Sequence, residues 1–430
     1  MPRALVHMAS LKSLTTSPTS LPSTCLILLA RKPTVSHVSQ LLVEKRALPI
    51  PPVIPAASPS NSTQTKATGT GSTTTLPSSS SVILPTSPSS STPRSATPQT
   101  NLKDATMFWD YLSTHQESIH QVMTLFSDRG TPYSYRHMNG YSGHTHKWTK
   151  PDGSFVYTQV HLKTDQGIKT FTGEEAHKMS ADNPDWNTQD LFEAIQKGEY
   201  PSWTVYVQVL TPEEAEKFRW NIFDLTKVWP QKDVPLRQFG KFTLNKNPEN
   251  YFAEIEQVAF SPSHLVPGVE PSIDPVLQSR LFSYPDTHRH RLGTNYQQIP
   301  VNAPLKAFNP FQRDGAMAIN GNYGANPNYP SSYRQLTYKS VKPTVTHEKW
   351  SGAAVHELFQ EVNDDDFVQA KGLWDVLGRT PGQQENFVTN VSGHLAAAHQ
   401  DTRTRTYEMF SRVDKALGAS IQEKTEKQVK

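Results

Sequence analysis

The chain has 430 residues, enough for two or three ordinary domains or for one large domain with extensions. Its formal charge of +3 combines two unlike parts: residues 1–100 carry 8 Lys/Arg against one acid, Glu44, and the remainder is slightly acidic. A basic nucleic-acid-binding body is thereby excluded, the single cysteine (Cys25) excludes a disulfide framework, and no apolar run approaches the roughly eighteen residues of a membrane span.

All aromatic residues lie at Phe108 or beyond, and from Gly71 to Thr100 Ser, Thr and Pro make up 22 of 30 positions. Such a stretch has too little apolar surface to offset chain entropy, so residues 1–97 are expected to form a disordered Ser/Thr/Pro-rich tail. Residues 1–50, basic, rich in Ser and Leu and nearly free of acids, also suit a transit peptide, which would direct the chain to mitochondria. A Ser/Thr-rich stalk is the other reading, although the apolar run Cys25–Ala30 is short for a secretion signal. The body is expected to be soluble and intracellular.

Beyond Pro98 the pattern is globular. Phe108, Leu112, Ile119, Val122, Met123 and Phe126 have helical spacing, which predicts one helix ending at Asp128-Arg129-Gly130. After the turn at Pro151-Asp152-Gly153, Val156, Thr158, Val160 and Leu162 alternate with Phe155, Tyr157, Gln159 and His161 as a strand does; Trp203, Val205, Val207 and Val209 predict another. Thr211-Pro212-Glu213-Glu214 reads as a capping box with proline at the first helical position. Residues 247–360, rich in Pro, Asn and Tyr, predict an irregular wrapping segment. Helical periodicity returns at Asp364–Leu377 and from Thr380 to about Lys424, with a second capping pattern at Thr380-Pro381-Gly382-Gln383.

The densest chemistry lies in Arg280–Gly293, RLFSYPDTHRHRLG. A tyrosine followed by proline and a His/Arg cluster suits a phenolate on ferric iron with arginines beside it, because an anionic oxygen favours the higher oxidation states that peroxide chemistry needs. Arg280 precedes Tyr284 by four residues, so one helical turn puts both on one face, where a guanidinium favours the phenolate. An isolated tyrosine would be read as core or surface, and His288-Arg289-His290-Arg291 alone as a solvated basic patch.

The whole fourteen-residue string resembles the haem-ligand segment of the catalase family, and the resemblance runs from Pro98 nearly to the end of the chain. In that family the iron ligand is a tyrosine, which the match assigns to Tyr284. The resemblance also assigns Arg280 as its tuner, Arg291 as a clamp on a haem propionate, and His144 and Asp274 as partners linked to Arg280. It implies an α+β fold: an antiparallel eight-stranded barrel, a wrapping arm and a C-terminal helical domain. The corresponding division is 1–97 tail, 98–246 barrel remainder with inserted helices, 247–362 wrapping segment with the haem ligand, and 363–430 helical domain. The implied activity is disproportionation of hydrogen peroxide to water and oxygen, in a homotetramer located in the peroxisome or cytoplasm. The ending Gln428-Val429-Lys430 is not the common peroxisomal tripeptide.

NADPH-binding members of the family place contacts where His120, Ser127, Arg129, Asn139, Tyr141, Lys163, Val228 and Trp229 stand here, with Gln231 replacing a histidine. The family's distal groups, a histidine and an asparagine, have no counterpart. His137 and His146 are expected to be structural rather than substitutes. With a suitable choice of codons, the family motifs HAKGAGAYG and EGNWDWVYNNTPVFFIR, read one base out of frame, give Met1–Ala9 and Lys66–Val82. Residues 1 to about 97 are therefore expected to be the N-terminal half of the family sequence translated out of frame, leaving only the second half of the barrel. A peroxide enzyme by descent, an inactive haem-binding fragment that associates with intact subunits, and a lipid-hydroperoxide enzyme on the same fold are the competing functions.

Overall fold

The computed structural model of the chain describes the backbone strands at 4–13, 34–40, 57–63 and 68–74, nearly all of 97–303, parts of 313–333, and 362–429. A tight turn opens the most apolar part of the antiparallel sheet. At its start, Asp152 Oδ1 accepts from both the amide and the hydroxyl of Ser154, and Gly153 takes φ 86°, a conformation that a side chain would strain. The chain then runs as β7 (Phe155–Thr164) and pairs along its length with β8 (Ser202–Leu210), placing Val160 opposite Val207 and Leu162 opposite Val205. β9 (Arg237–Lys246) pairs with the other edge of β8. Val156, Leu162, Val205, Val207, Phe239, Phe242 and Leu244 form one buried cluster with Trp148 and Trp203. The alternating residues of the sequence thus become the apolar lining of a curved sheet.

The sheet does not stop there. β5 (Gly140–Ser142) and β6 (His146–Thr149) share one edge of β7, and β10 (Val269–Pro271) pairs with β6. Four further strands, β1 (Ala4–Ser13), β2 (Thr34–Gln40), β3 (Ala57–Thr63) and β4 (Thr68–Thr74), bridge β9 to β5, so the order β5-β4-β3-β2-β1-β9-β8-β7 returns to β5. The ring therefore closes, which corrects the expectation of half a barrel with open edges. Backbone pairing requires only amides and carbonyls, so residues without a single aromatic among them can complete the ladder. The four strands also correct the expectation of disorder over the whole of residues 1–97; apart from Thr97, the other residues of that tail lie outside the described residues.

The helices form a second layer. The helix expected from Phe108 to Phe126 is two, α1 (Ala105–Thr114) and α2 (Ile119–Phe126), separated by His115 and a short turn at Gln116–Ser118. On the barrel side lie α3 (Gly173–Asp182), α4 (Trp186–Gln196) and α5 (Pro212–Glu216); α3 and α5 start with complete capping boxes at Thr172/Glu175 and Thr211/Glu214. Inside the segment expected to be irregular runs an 18-residue helix, α6 (Pro275–Leu292). It buries only Leu277 and His288, so it shows no apolar stripe for the sequence to reveal.

The C-terminal periodic region resolves into α7 (Asp365–Leu377), α8 (Gln383–Leu395), α9 (Gln400–Val413) and α10 (Lys415–Glu426). Thr380 does not cap α8: the N-cap is Gly382 at φ 85°, with no side-chain bond. These helices pack on α1 and α2 around Trp109, Ile119, Met123, Phe387, Phe410 and Leu417, a core separate from that of the sheet.

Candidate functional site

α6 carries the site, and the residue that caps its start, Asp274, fixes the rest. The Asp274 side chain is fully buried, and its Oδ1 accepts from the amides of Val276 at 2.9 Å and Leu277 at 3.0 Å, capping the helix. Pro275, whose missing N–H costs nothing at the first helical position, follows. The other Asp274 oxygen faces His144 Nδ1 at 2.7 Å. His144 sits between β5 and β6, and its carbonyl accepts from Ser142 Oγ. The carbonyl of the next residue, Thr145, accepts from Ser272 Oγ, which joins this strand to the start of α6.

The chain of bonds continues. Arg280 Nη1 donates to His144 Nε2 at 2.6 Å, and Arg280 Nη2 donates to the Tyr284 hydroxyl oxygen at 2.5 Å. A guanidinium can only donate, so His144 Nε2 carries the lone pair and Nδ1 carries the proton that goes to Asp274. His144 is thus neutral. Burial holds its pKa below the ordinary imidazole value, with Arg280 acting in the same direction and the bond to Asp274 opposing it. The result is one line, Asp274–His144–Arg280–Tyr284, whose last member is a half-buried phenol facing a fixed cation. The guanidinium also lies 4.9 Å from the Tyr284 ring centroid.

Arg291, at the C-terminal end of the same helix, donates from Nη1 to the Glu256 carbonyl at 2.5 Å and from Nη2 to the Val258 carbonyl at 2.6 Å. Burial lowers its pKa from the usual guanidinium value. His288 and Asn302 were not singled out by the sequence, yet both bond the same 256–260 segment. For His288 the signal was the basic cluster that contains it; Asn302 offered none.

Two family patterns match this chain: that of catalase, over residues 89–335, and that described as catalase-related immune-responsive, over residues 360–425. The chain belongs to the catalase family. It is 59% identical over 335 residues to a catalase of Schizosaccharomyces pombe, a match covering 77% of this chain and 65% of that protein. With the peroxisomal catalase of Pichia angusta it is 56% identical over 76% of its length and 66% of the relative's. The matched region therefore spans just under two thirds of these catalases. Among solved structures, a fungal catalase superposes with a TM-score of 0.92 at 44% identity, covering 98% of this chain and 86% of that one. Catalase A of Saccharomyces cerevisiae gives 0.92 at 42%, covering 99% and 89%.

Relative to the catalase frame, the residues expected to bind a dinucleotide divide into three groups. His120 is buried on α2, and its pKa falls to about 4 through burial, with Arg129 and Lys227 adding to the effect. Arg129 is exposed, and Ser127 Oγ is turned to the Thr124 carbonyl. A second group lies on the sheet: Asn139 Nδ2 donates to the Tyr141 hydroxyl at 3.0 Å, and Lys163 Nζ lies 5.3 Å from the Tyr141 ring. In the third, the backbone of Val228 is held from both sides by the Gln369 amide of α7, and Trp229 is buried. His137 Nδ1 bonds the Gly167 carbonyl. His146 lies on β6 with burial pulling its pKa down to about 4.

Proposed function

We propose that this chain is a haem protein in which Tyr284 is the iron ligand, Arg280 holds its oxygen, and His144 and Asp274 fix Arg280. The single observation that supports the reading best is the unbroken hydrogen-bonded line from Asp274 to Tyr284. Its donor set fits the group: the phenol oxygen meets a guanidinium that favours its anionic form, and Arg291 retains donors suited to an acid on the ring. When bound, haem would supply the redox iron at which hydrogen peroxide is converted to water and oxygen. The chain's own residues keep the phenol oriented, exclude water from the Asp274–His144 pair and hold the imidazole proton on Nδ1.

Full peroxide turnover also needs a group that moves a proton between the two peroxide oxygens, and an amide that orients them. In the out-of-frame reading of residues 1 to about 97 those groups fall at Met1 and at Thr73–Thr74, whose side chains lack that chemistry. The second reading, an inactive fragment that binds haem or joins intact subunits, is favoured by this one feature. Translation of residues 1 to about 97 out of frame would account for the loss of those groups, and the coding DNA upstream of codon 98 tests it. NADPH on the residues of the three groups expected to bind a dinucleotide, a homotetramer and a peroxisomal location complete the proposal; relatives named peroxisomal catalases support the last.

Purified chain titrated with haemin decides between the readings. A Soret band in the wild type, with a phenolate-to-iron charge-transfer band that is lost in Tyr284→Phe, and oxygen release from peroxide at background level, supports the haem-binding fragment. Catalase-level oxygen release overturns the claim of a missing distal apparatus, and no Soret change overturns the haem assignment.

A further inference from the structure

Residues 256–260 are stitched to α6 through alternate carbonyls. Arg291 takes those of Glu256 and Val258, and His288 Nε2 lies 2.6 Å from that of Phe260. On the other side of the same segment, Asn302 Oδ1 accepts from the Ala259 amide at 2.7 Å, and its Nδ2 donates to the Gln257 carbonyl at 2.8 Å. The carbonyl of Phe260 can only accept, so His288 Nε2 must carry a proton. Arg291 Nη2, 3.3 Å from His288 Nδ1, can only donate, so Nδ1 must carry the lone pair. One neutral tautomer satisfies both neighbours, and it leaves the imidazole as a splint between the segment and the guanidinium.

A guanidinium has five N–H groups. Three of those of Arg291 are engaged by Glu256, Val258 and His288, which leaves Nε–H and one Nη1–H without a partner among the described residues. Because the Nη2 side is spoken for, the plane of the group cannot rotate freely, and the two remaining donors keep a fixed direction at the C-terminal end of the helix that bears Tyr284. We infer that His288 is a positioning residue that orients Arg291 to receive a carboxylate of the tetrapyrrole. The inference rests on the haem reading and adds the device that preorganises its acid-binding end.

The test compares haemin with its dimethyl ester, which has the same ring and no carboxylates, on the full-length chain by Soret titration. Wild type should prefer haemin. His288→Phe, which keeps an aromatic ring and loses both hydrogen bonds, should weaken haemin about tenfold, in line with the loss of a charged hydrogen bond, and leave the ester unchanged. His288→Gln, whose side-chain amide offers an NH2 donor group and a carbonyl acceptor, should recover part of the loss. In an Arg291→Ala background, His288→Phe should have little further effect on haemin. Equal weakening of haemin and ester, no weakening of haemin, or equal wild-type affinity for the two overturns the assignment of His288 while leaving the haem reading intact. Binding of neither porphyrin by the wild type overturns the haem reading and this inference with it.

Discussion

Asp274→Asn is the most searching substitution in the site, because it preserves shape and removes only an acceptor. The two native oxygens accept three N–H groups: two helix amides on Oδ1 and His144 Nδ1–H on Oδ2. An asparagine has one oxygen and one NH2. With the oxygen toward the helix, its NH2 confronts the Nδ1–H of His144; turned around, it confronts the two amides. Each choice forfeits either a helix cap, about 1 kcal/mol, or leaves a buried donor unsatisfied, about 1–3 kcal/mol. The cost should therefore be about 1–3 kcal/mol, and Asp274→Ala, which loses both, should cost about 2–4 kcal/mol. Urea unfolding followed by tryptophan fluorescence measures both. An asparagine variant within about 0.5 kcal/mol of wild type, the usual range for an inconsequential surface change, would show that the carboxylate does not serve two masters and would refute the assigned imidazole tautomer.

Lys227 Nζ donates to Asp366 at 2.5 Å and lies 3.5 Å from Asp224, with all three side chains largely buried. Lys227→Met should destabilise by about 3–5 kcal/mol, since it strands two acids, and Asp366→Leu added to it should restore part of that in the same unfolding assay. His120 and His161 are both buried, with pKa values near 4 against 6.5 when free. Between those values the unfolded chain binds more protons, so stability rises with pH from about 4 to 6.5 and is lost as pH falls through that window. Each contributes up to about 1.4 kcal/mol per pH unit; a flat unfolding free energy between pH 6.5 and 5 would exclude it. Trp109→Ala should cost about 3–5 kcal/mol, because Trp109 is fully buried in the helical core and donates from Nε1 to His394. Thermal unfolding is the check.

The parts of this fold legible in the sequence are those where a local period survives in the structure. β7 and β8 alternate because one face lines the barrel, and the capping box at Thr211 needs only four adjacent residues. α6 escaped because a helix with two buried residues carries no stripe. The break at His115 escaped because the apolar spacing continues across it into α2. At the site, the four-residue interval from Arg280 to Tyr284 was readable as one helical turn. His144 and Asp274, 130 positions apart, have no local signature and came only from resemblance. The closing strands β1–β4 were invisible for the opposite reason: their pairing is a property of backbone amides, which no composition reports.

The helical core has a cost in time. Trp109 meets His394 across 285 positions, Thr106 Oγ1 accepts from the amide of His399 across 293, and Arg412 reaches Gln116 across 296. α1 and α2 must therefore wait for helices synthesised far behind them before their apolar faces are covered. Contacts so distant form late, after a large entropy of ring closure has been met. Until a ribosome has released the helices that carry Phe387 and Phe410, Trp109 and Met123 remain open to water and to chaperones, and a stop codon before those helices would leave them so permanently.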